Sequence, residues 1–129
     1  MKVSKRHERV IAATEEQLVG LIFDFDAVWP TEIAPAPREL GDRLYKVGPM
    51  IWEEFERPGA IRAFRVIRPA GMAGQHWFEG HAVDDGILVR HTLDGEAVGE
   101  GEAFWRDTVE PVHDIILERI FDKIEAAVA

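Results

Sequence analysis

Residues 105–129 read WRDTVEPVHDIILERIFDKIEAAVA, and this stretch decides how the rest of the chain must be arranged. After Trp105, the residues Val109, Val112, Ile116, Ile120, Ile124 and Ala127 recur at steps of three and four, which keeps them on one side of a helix. Asp107, Asp114, Glu118, Asp122 and Glu125 take the opposite side. Such a helix needs a second apolar surface to lie on. The available surface is upstream, where residues 35–97 read as strands. Pro111 removes a backbone donor within the helix and predicts a kink near Asp107.

Turn signals divide the upstream region into hairpins. Gly41-Asp42 and Gly48-Pro49 bound a strand over Leu44–Val47. In Pro58-Gly59, proline presets φ at the second turn position and glycine accepts the positive φ of the third, so Met50–Glu56 is expected to pair with Ala60–Arg68. Asp85-Gly86 is expected to join Gln75–Asp84 to Ile87–Ala97. With Asp84 facing Ile87, Ala82 faces Val89, Gly80 faces His91 and Phe78 faces Leu93, a side that is apolar except for the imidazole. Glu79, His81, Arg90, Thr92 and Asp94 form the solvated side. In the preceding hairpin, Ile51, Glu53, Phe55, Arg62, Phe64 and Val66 are taken as inward, because the two phenylalanines are large and central.

Ahead of the hairpins, Val3–Ala13 reads as a first strand. Thr14-Glu15-Glu16-Gln17 fits a capping box that starts a helix carrying Leu18, Leu21, Ile22 and Phe25 on one side. That helix must end before Pro30, and Pro30–Pro37 is a connector. Within it, Leu21-Ile22-Phe23-Asp24-Phe25-Asp26-Ala27-Val28 resembles the first motif of haloacid-dehalogenase-type phosphatases, with Asp24 and Asp26 at the nucleophile and acid spacing. That motif has to follow a strand, and here the capping box makes the segment helical.

Composition narrows the function. The 129 residues suit one domain, 1–129, and the absence of cysteine excludes disulfides, thiolate metal sites and a cysteine nucleophile. A net charge of −9 disfavours nucleic acid and anionic lipid as partners. No apolar stretch suits a signal peptide or a stable membrane insertion, so a cytoplasmic monomer or homodimer is expected.

The order of strand, helix pair, antiparallel strands and long final helix resembles the START-related, birch-pollen-allergen-like superfamily (SRPBCC), also called the helix-grip fold. The resemblance spans the chain and rests on Val10-Ile11-Ala12-Ala13-Thr14-Glu15-Glu16-Gln17-Leu18, on Asp26-Ala27-Val28-Trp29-Pro30 and on the final helix with Trp105. It implies an α+β domain in which a curved antiparallel sheet, with two short helices after its first strand, wraps around the C-terminal helix. Relatives use the cavity between sheet and helix for lipids, sterols, plant hormones and aromatic polyketides, and some are cyclases or dehydratases. No catalytic signature defines the superfamily.

Placed on that architecture, the inward positions give a ligand-binding set of Trp29, Glu53, Phe55, Arg62, Phe64, His76, Phe78, Val89, His91, Leu93, Trp105, Val109 and Val112. His91 is the candidate proton carrier, since an imidazole titrates near neutrality. His76 shares its face, but the expected register puts the two about four residues apart along paired strands, on the order of 13 Å and too far to share one ion. No metal and no cofactor are expected. Glu53 and Arg62 would be diagonal neighbours, paired or addressing a polar ligand end. The expected function is binding of a small hydrophobic or amphipathic molecule. The alternatives are a cyclase or dehydratase using a pocket histidine, and a protein-interaction module without a ligand.

Overall fold

The computed structural model describes the whole chain, Met1–Ala129. Strand β1 (Lys2–Ile11) ends where the Thr14 hydroxyl accepts from the Gln17 backbone N–H at 3.1 Å and the Gln17 side chain accepts from the Thr14 N–H at 3.0 Å. These reciprocal bonds satisfy two of the amides that a helix start leaves free. Helix α1 (Glu15–Ile22) follows, and Asp24 caps a second short helix, α2 (Phe25–Val28), through the Ala27 N–H. Asp24 therefore serves as a cap, and the phosphatase-like spacing of Asp24 and Asp26 lies in helical context.

Six further strands follow: β2 (Arg38–Gly41), β3 (Leu44–Val47), β4 (Met50–Phe55), β5 (Arg62–Arg68), β6 (Met72–Val83) and β7 (Gly86–Ala97). All neighbours are antiparallel, in the order β1-β7-β6-β5-β4-β3-β2, so the first strand closes one edge beside the last. The chain then runs through α3 (Glu100–Phe104), a π-helical turn (Trp105–Val109) and α4 (Glu110–Val128). The interruption expected from Pro111 takes the form of that π turn, in which the Glu110 N–H reaches back five residues to the Trp105 carbonyl. Leu117, Ile120, Phe121 and Ile124 of α4 are buried. Ala127, expected at the end of the stripe, is exposed, and the stripe's buried centre shifts toward Leu117 and Phe121.

Two registers differ from expectation. In the β6–β7 hairpin, Asp84-Asp85 forms the turn, Val83 pairs with Gly86, and every partner slips by two: Gly80 faces Val89, Phe78 faces His91 and His76 faces Leu93. Gly86 is needed at a close approach to β1, where a Cβ would lie 2.2 Å from the Ile11 carbonyl oxygen. In the β4–β5 hairpin, Pro58-Gly59 does turn the chain, with the Ala60 N–H on the Arg57 carbonyl, but the Ile61 N–H bonds to Phe78 of β6. The return strand thus gains one residue, pairing Phe55 with Ala63 and Glu54 with Phe64. A one-residue shift reverses a strand's faces. Trp52 and Glu54 point inward with Phe64, while Glu53 and Phe55 point outward, Glu53 pairing with Arg65 at 3.2 Å and Phe55 lying under the Arg65 guanidinium at 4.1 Å.

The apolar interior forms two clusters. The larger joins α1, α2 and the second half of α4 to β3–β7, with Leu18, Val28, Trp52, Phe64, Phe78, Val89 and Phe121 among its members. The smaller gathers Val3, Leu93, Ala97 and Trp105.

Candidate functional site

Between the two clusters lies a cavity of about 320 Å³, walled by β3–β7 on one side and by the π turn and first half of α4 on the other. Members of both clusters line it, Trp52, Phe64 and Phe78 from the larger and Leu93 and Trp105 from the smaller. Pro35, Gly48, Pro49, Thr108 and Val112 are lining residues that are also exposed, so the mouth opens between the β3–β4 turn and the start of α4.

Of the residues expected to contact a ligand, Trp29, Phe64, His76, Phe78, His91, Leu93, Trp105, Val109 and Val112 line this cavity. Four do not. Val89 is fully buried core. Glu53 and Phe55 lie on the outer face for the register reason given above. Arg62 is inward and buried, but it stands behind the aromatic wall, with its guanidinium 4.3 Å from the Phe25 ring and 4.9 Å from the Phe64 ring. There it bonds both oxygens of Glu54 at 3.1 and 3.2 Å, the Tyr45 hydroxyl at 3.0 Å and the Ile22 carbonyl at 3.2 Å. The expected acid–base pair exists, with Glu54 in place of Glu53, and it ties the end of α1 to the sheet. His81 and Arg90 face outward and pair with Glu79 and Glu8.

Several lining residues escape the sequence reading. Trp52 and Met50 are on the side of β4 opposite to Glu53 and Phe55, and the one-residue shift turns that side inward. His113 lies on α4 three residues before Ile116 and four before Leu117, so helical spacing puts it on the same side as these two lining residues.

Three imidazoles supply nearly all the polar chemistry of this wall. The two-residue slip brings His76 and His91 together, with His91 Nε2 at 3.4 Å from His76 Nδ1, correcting the separation of on the order of 13 Å expected from the other register. His76 stacks on Phe64 and meets the Trp52 ring edge at a centroid distance of 4.2 Å, and Phe78 meets His91 at 4.7 Å. His113 follows at 5.8 Å from His91. Burial among apolar rings opposes a positive charge, so the His76 pKa falls to about 3 and that of His91 falls well below the usual imidazole range. His113 falls to about 4, by burial and then by the neighbouring His7, against the pull of Asp114. All three are neutral at pH 7. Trp52 Nε1, His76 Nε2 and His91 Nδ1 are buried without a hydrogen-bond partner in the protein.

No family model matches the sequence, and no curated protein does either. Solved structures do match over nearly the whole chain. A START superfamily protein from Mycobacterium smegmatis superposes with a TM-score of 0.60 at 17% identity, covering 98% of this chain and 96% of the other. The fold is the START-like helix grip. Two further helix-grip structures are the Zhui aromatase/cyclase from Streptomyces sp. R1128 (TM-score 0.60, 15% identity, 99% and 92% covered) and a norcoclaurine synthase from Thalictrum flavum in complex with a transition-state analogue (0.64, 11%, 99% and 94%). At these identities the likeness concerns the fold, and the cavity described above lies between sheet and C-terminal helix as the helix grip requires. No helix is long and apolar enough to cross a membrane.

Proposed function

We propose that this helix-grip protein binds a small, mostly apolar molecule that carries one oxygen function, a carbonyl or hydroxyl, directed at Trp52 and His76. The observation that carries this reading is the set of buried, unpartnered nitrogens on residues that line a mostly apolar cavity. A buried N–H without a partner costs about 1–3 kcal/mol, and that cost is recovered when a ligand or water supplies the acceptor. The volume falls at the lower end of the roughly 300–1,000 Å³ typical of small-molecule sites, which suits a compact ring system or short acyl chain.

Catalysis is a second reading, favoured by the contact between His91 and His76. Two neutral imidazoles in line present an N–H that can polarise a substrate carbonyl, as a cyclase or dehydratase requires, whereas their burial opposes the imidazolium that a full proton transfer would leave. The aromatase/cyclase and synthase among the structural neighbours are compatible with this chemistry.

Native mass spectrometry of the purified protein, followed by denaturing extraction and melting curves against short fatty acids, flavonoids and aromatic polyketides, tests binding. A retained or added compound that raises the melting temperature of the wild type, and raises that of Trp52→Phe by less, supports the reading. If nothing is retained and no compound shifts the melt, binding is the wrong function. Unchanged turnover of a bound substrate by His91→Phe would remove the catalytic reading and leave binding intact.

A further inference from the structure

We propose that His7, His113 and Asp114 form a site for one late first-row divalent cation, with Zn²⁺ as the type ion, clasping β1 to α4. The three side chains each offer one donor atom, and these atoms lie within 4.8 Å of one another. Asp114 Oδ1 is the hub, 3.1 Å from His7 Nε2 and 3.5 Å from His113 Nδ1. Zinc bonds of about 2.0–2.2 Å place adjacent ligand atoms roughly 3 to 3.5 Å apart, so two edges of the coordination polyhedron already have their bound length. Only the separation between the imidazoles has to close, by rotation of rings whose centroids are 5.5 Å apart.

The surroundings suit an ion. The His7 and His113 side chains are 14% and 12% exposed, and Asp114 is 52% exposed. The nitrogens would therefore bind from the protein side and the carboxylate from the rim, leaving a position for water. His113 Nδ1 has no hydrogen-bond partner despite its burial, so ligation would satisfy an orphaned atom. Two imidazoles with one carboxylate favour Zn²⁺, Co²⁺ or Fe²⁺, whereas Mg²⁺ and Ca²⁺ prefer oxygen alone. The frame is fixed nearby, since Arg9, two residues beyond His7, grips Glu118, Asp122 and Glu125 of α4.

One neighbour opposes the ion. Lys5 Nζ lies 3.5 Å from Asp114 Oδ2 and 3.4 Å from Glu110 Oε2, and a cation at Oδ1 would repel it toward Glu110. Removing that ammonium should tighten metal binding. His113 is also part of the cavity wall, so an ion held at the surface would fix one face of the pocket without entering it.

The test is calorimetric titration of the metal-stripped, full-length protein with ZnCl₂, together with the visible absorption of Co²⁺, which reports ligand geometry. The expected result is one Zn²⁺ per chain, affinity reduced tenfold or more in His7→Asn and in Asp114→Asn, and affinity increased in Lys5→Met. Circular dichroism of each variant checks that it is folded. Absence of Zn²⁺ binding by the wild type overturns the proposal, as does unchanged affinity in both His7→Asn and Asp114→Asn.

Discussion

His91 Nε2 and His76 Nδ1 stand 3.4 Å apart in the wall of the cavity, and the contact couples the proton positions of the two rings. If His91 donates, His76 must carry its proton on Nε2 and joins the Trp52 indole as a second donor. If His76 donates, its Nε2 becomes an acceptor and His91 Nδ1 carries a proton. A ligand oxygen that accepts from both Trp52 and His76 selects the first arrangement. The pair is thus a two-state element that a ligand can set.

Acid should destabilise the protein well above the range in which its carboxylates protonate. The unfolded chain protonates a histidine near pH 6.5, whereas folded His76, buried beside His91 and His113, does so only at about pH 3. Between those values the unfolded state binds more protons, so stability rises with pH, is fully present above about 6.5 and is lost toward 3. The slope is up to about 1.4 kcal/mol per pH unit for each such group, and His91, shifted in the same direction, adds to it. Urea midpoints measured between pH 7 and 4, with EDTA present to exclude metal effects, should fall steadily. His76→Phe should have a flatter profile, and an equal slope in that variant would show that His76 is not the source.

Trp52→Phe separates ligand recognition from packing. The substitution removes an unpartnered N–H but keeps an aromatic ring against Phe64 and His76. The ligand-free protein should lose little stability, because the lost contact area is offset by relief of a buried orphan donor. Affinity for the oxygen-bearing ligand should drop about 2- to 12-fold, the equivalent of one hydrogen bond of roughly 0.5–1.5 kcal/mol. Equal affinities by isothermal titration would mean that the indole nitrogen does not face the ligand.

Arg62 and Glu54 should behave as a unit. Arg62 is 6% exposed and has four hydrogen bonds, two of them to Glu54. Glu54→Leu alone leaves a guanidinium buried without its carboxylate and should cost about 3–5 kcal/mol. Adding Arg62→Met to that variant removes the stranded charge and should restore part of the loss. Chemical denaturation of both single variants and the double variant measures the coupling, and additive losses would contradict it.

What was legible in the sequence depended on parity. The slip in the β6–β7 hairpin is two residues, an even number, so Phe78, His91 and Leu93 kept their inward faces although their partners changed. The slip in the β4–β5 hairpin is one residue, which exchanged Glu53 and Phe55 for Trp52 and Glu54. Periodicity reports faces, whereas partners depend on where each turn begins and on tertiary bonds such as Ile61 to Phe78, which no local pattern contains. For the same reason the fold could be read from the capping box, turns and terminal stripe, but the meeting of His76 with His91 could not. His113 was hidden by a different cause. It sits three residues before Ile116 and four before Leu117 on α4, on the side of the stripe, and a stripe traced through apolar residues alone passes over an imidazole.

Close backbone packing should make Gly101 intolerant of any side chain. A Cβ built there would lie 2.1 Å from the Gly71 carbonyl oxygen, and that oxygen is held in place by the Val98 N–H at 2.8 Å. Backbone cannot yield as a flexible side chain would, so Gly101→Ala should destabilise by at least the roughly 1–3 kcal/mol of an overpacked site. A melting temperature equal to the wild type would show that the contact of α3 with Gly71, just ahead of β6, is looser than its geometry indicates.

Filling the cavity should stabilise the empty protein while abolishing its binding. By analogy with engineered cavities, unfilled volume costs about 24 cal/mol per Å³, so some 320 Å³ left dry would forgo about 7 or 8 kcal/mol, comparable to the whole stability of many domains. Val109 is half-buried on the π turn and lines this space, so Val109→Phe can extend a ring into volume already present. Each added methylene equivalent removed from water contributes about 0.8 kcal/mol, less whatever strain the ring imposes, giving a net gain on the order of 1–2 kcal/mol. The ligand-free variant should melt a few degrees higher than wild type, and ligands that raise the wild-type melting temperature should leave the variant's unchanged. The two halves of the outcome have opposite signs, which excludes a simple folding defect. A lower melting temperature with ligand response intact would show that the space beside Val109 is not the one a ligand occupies.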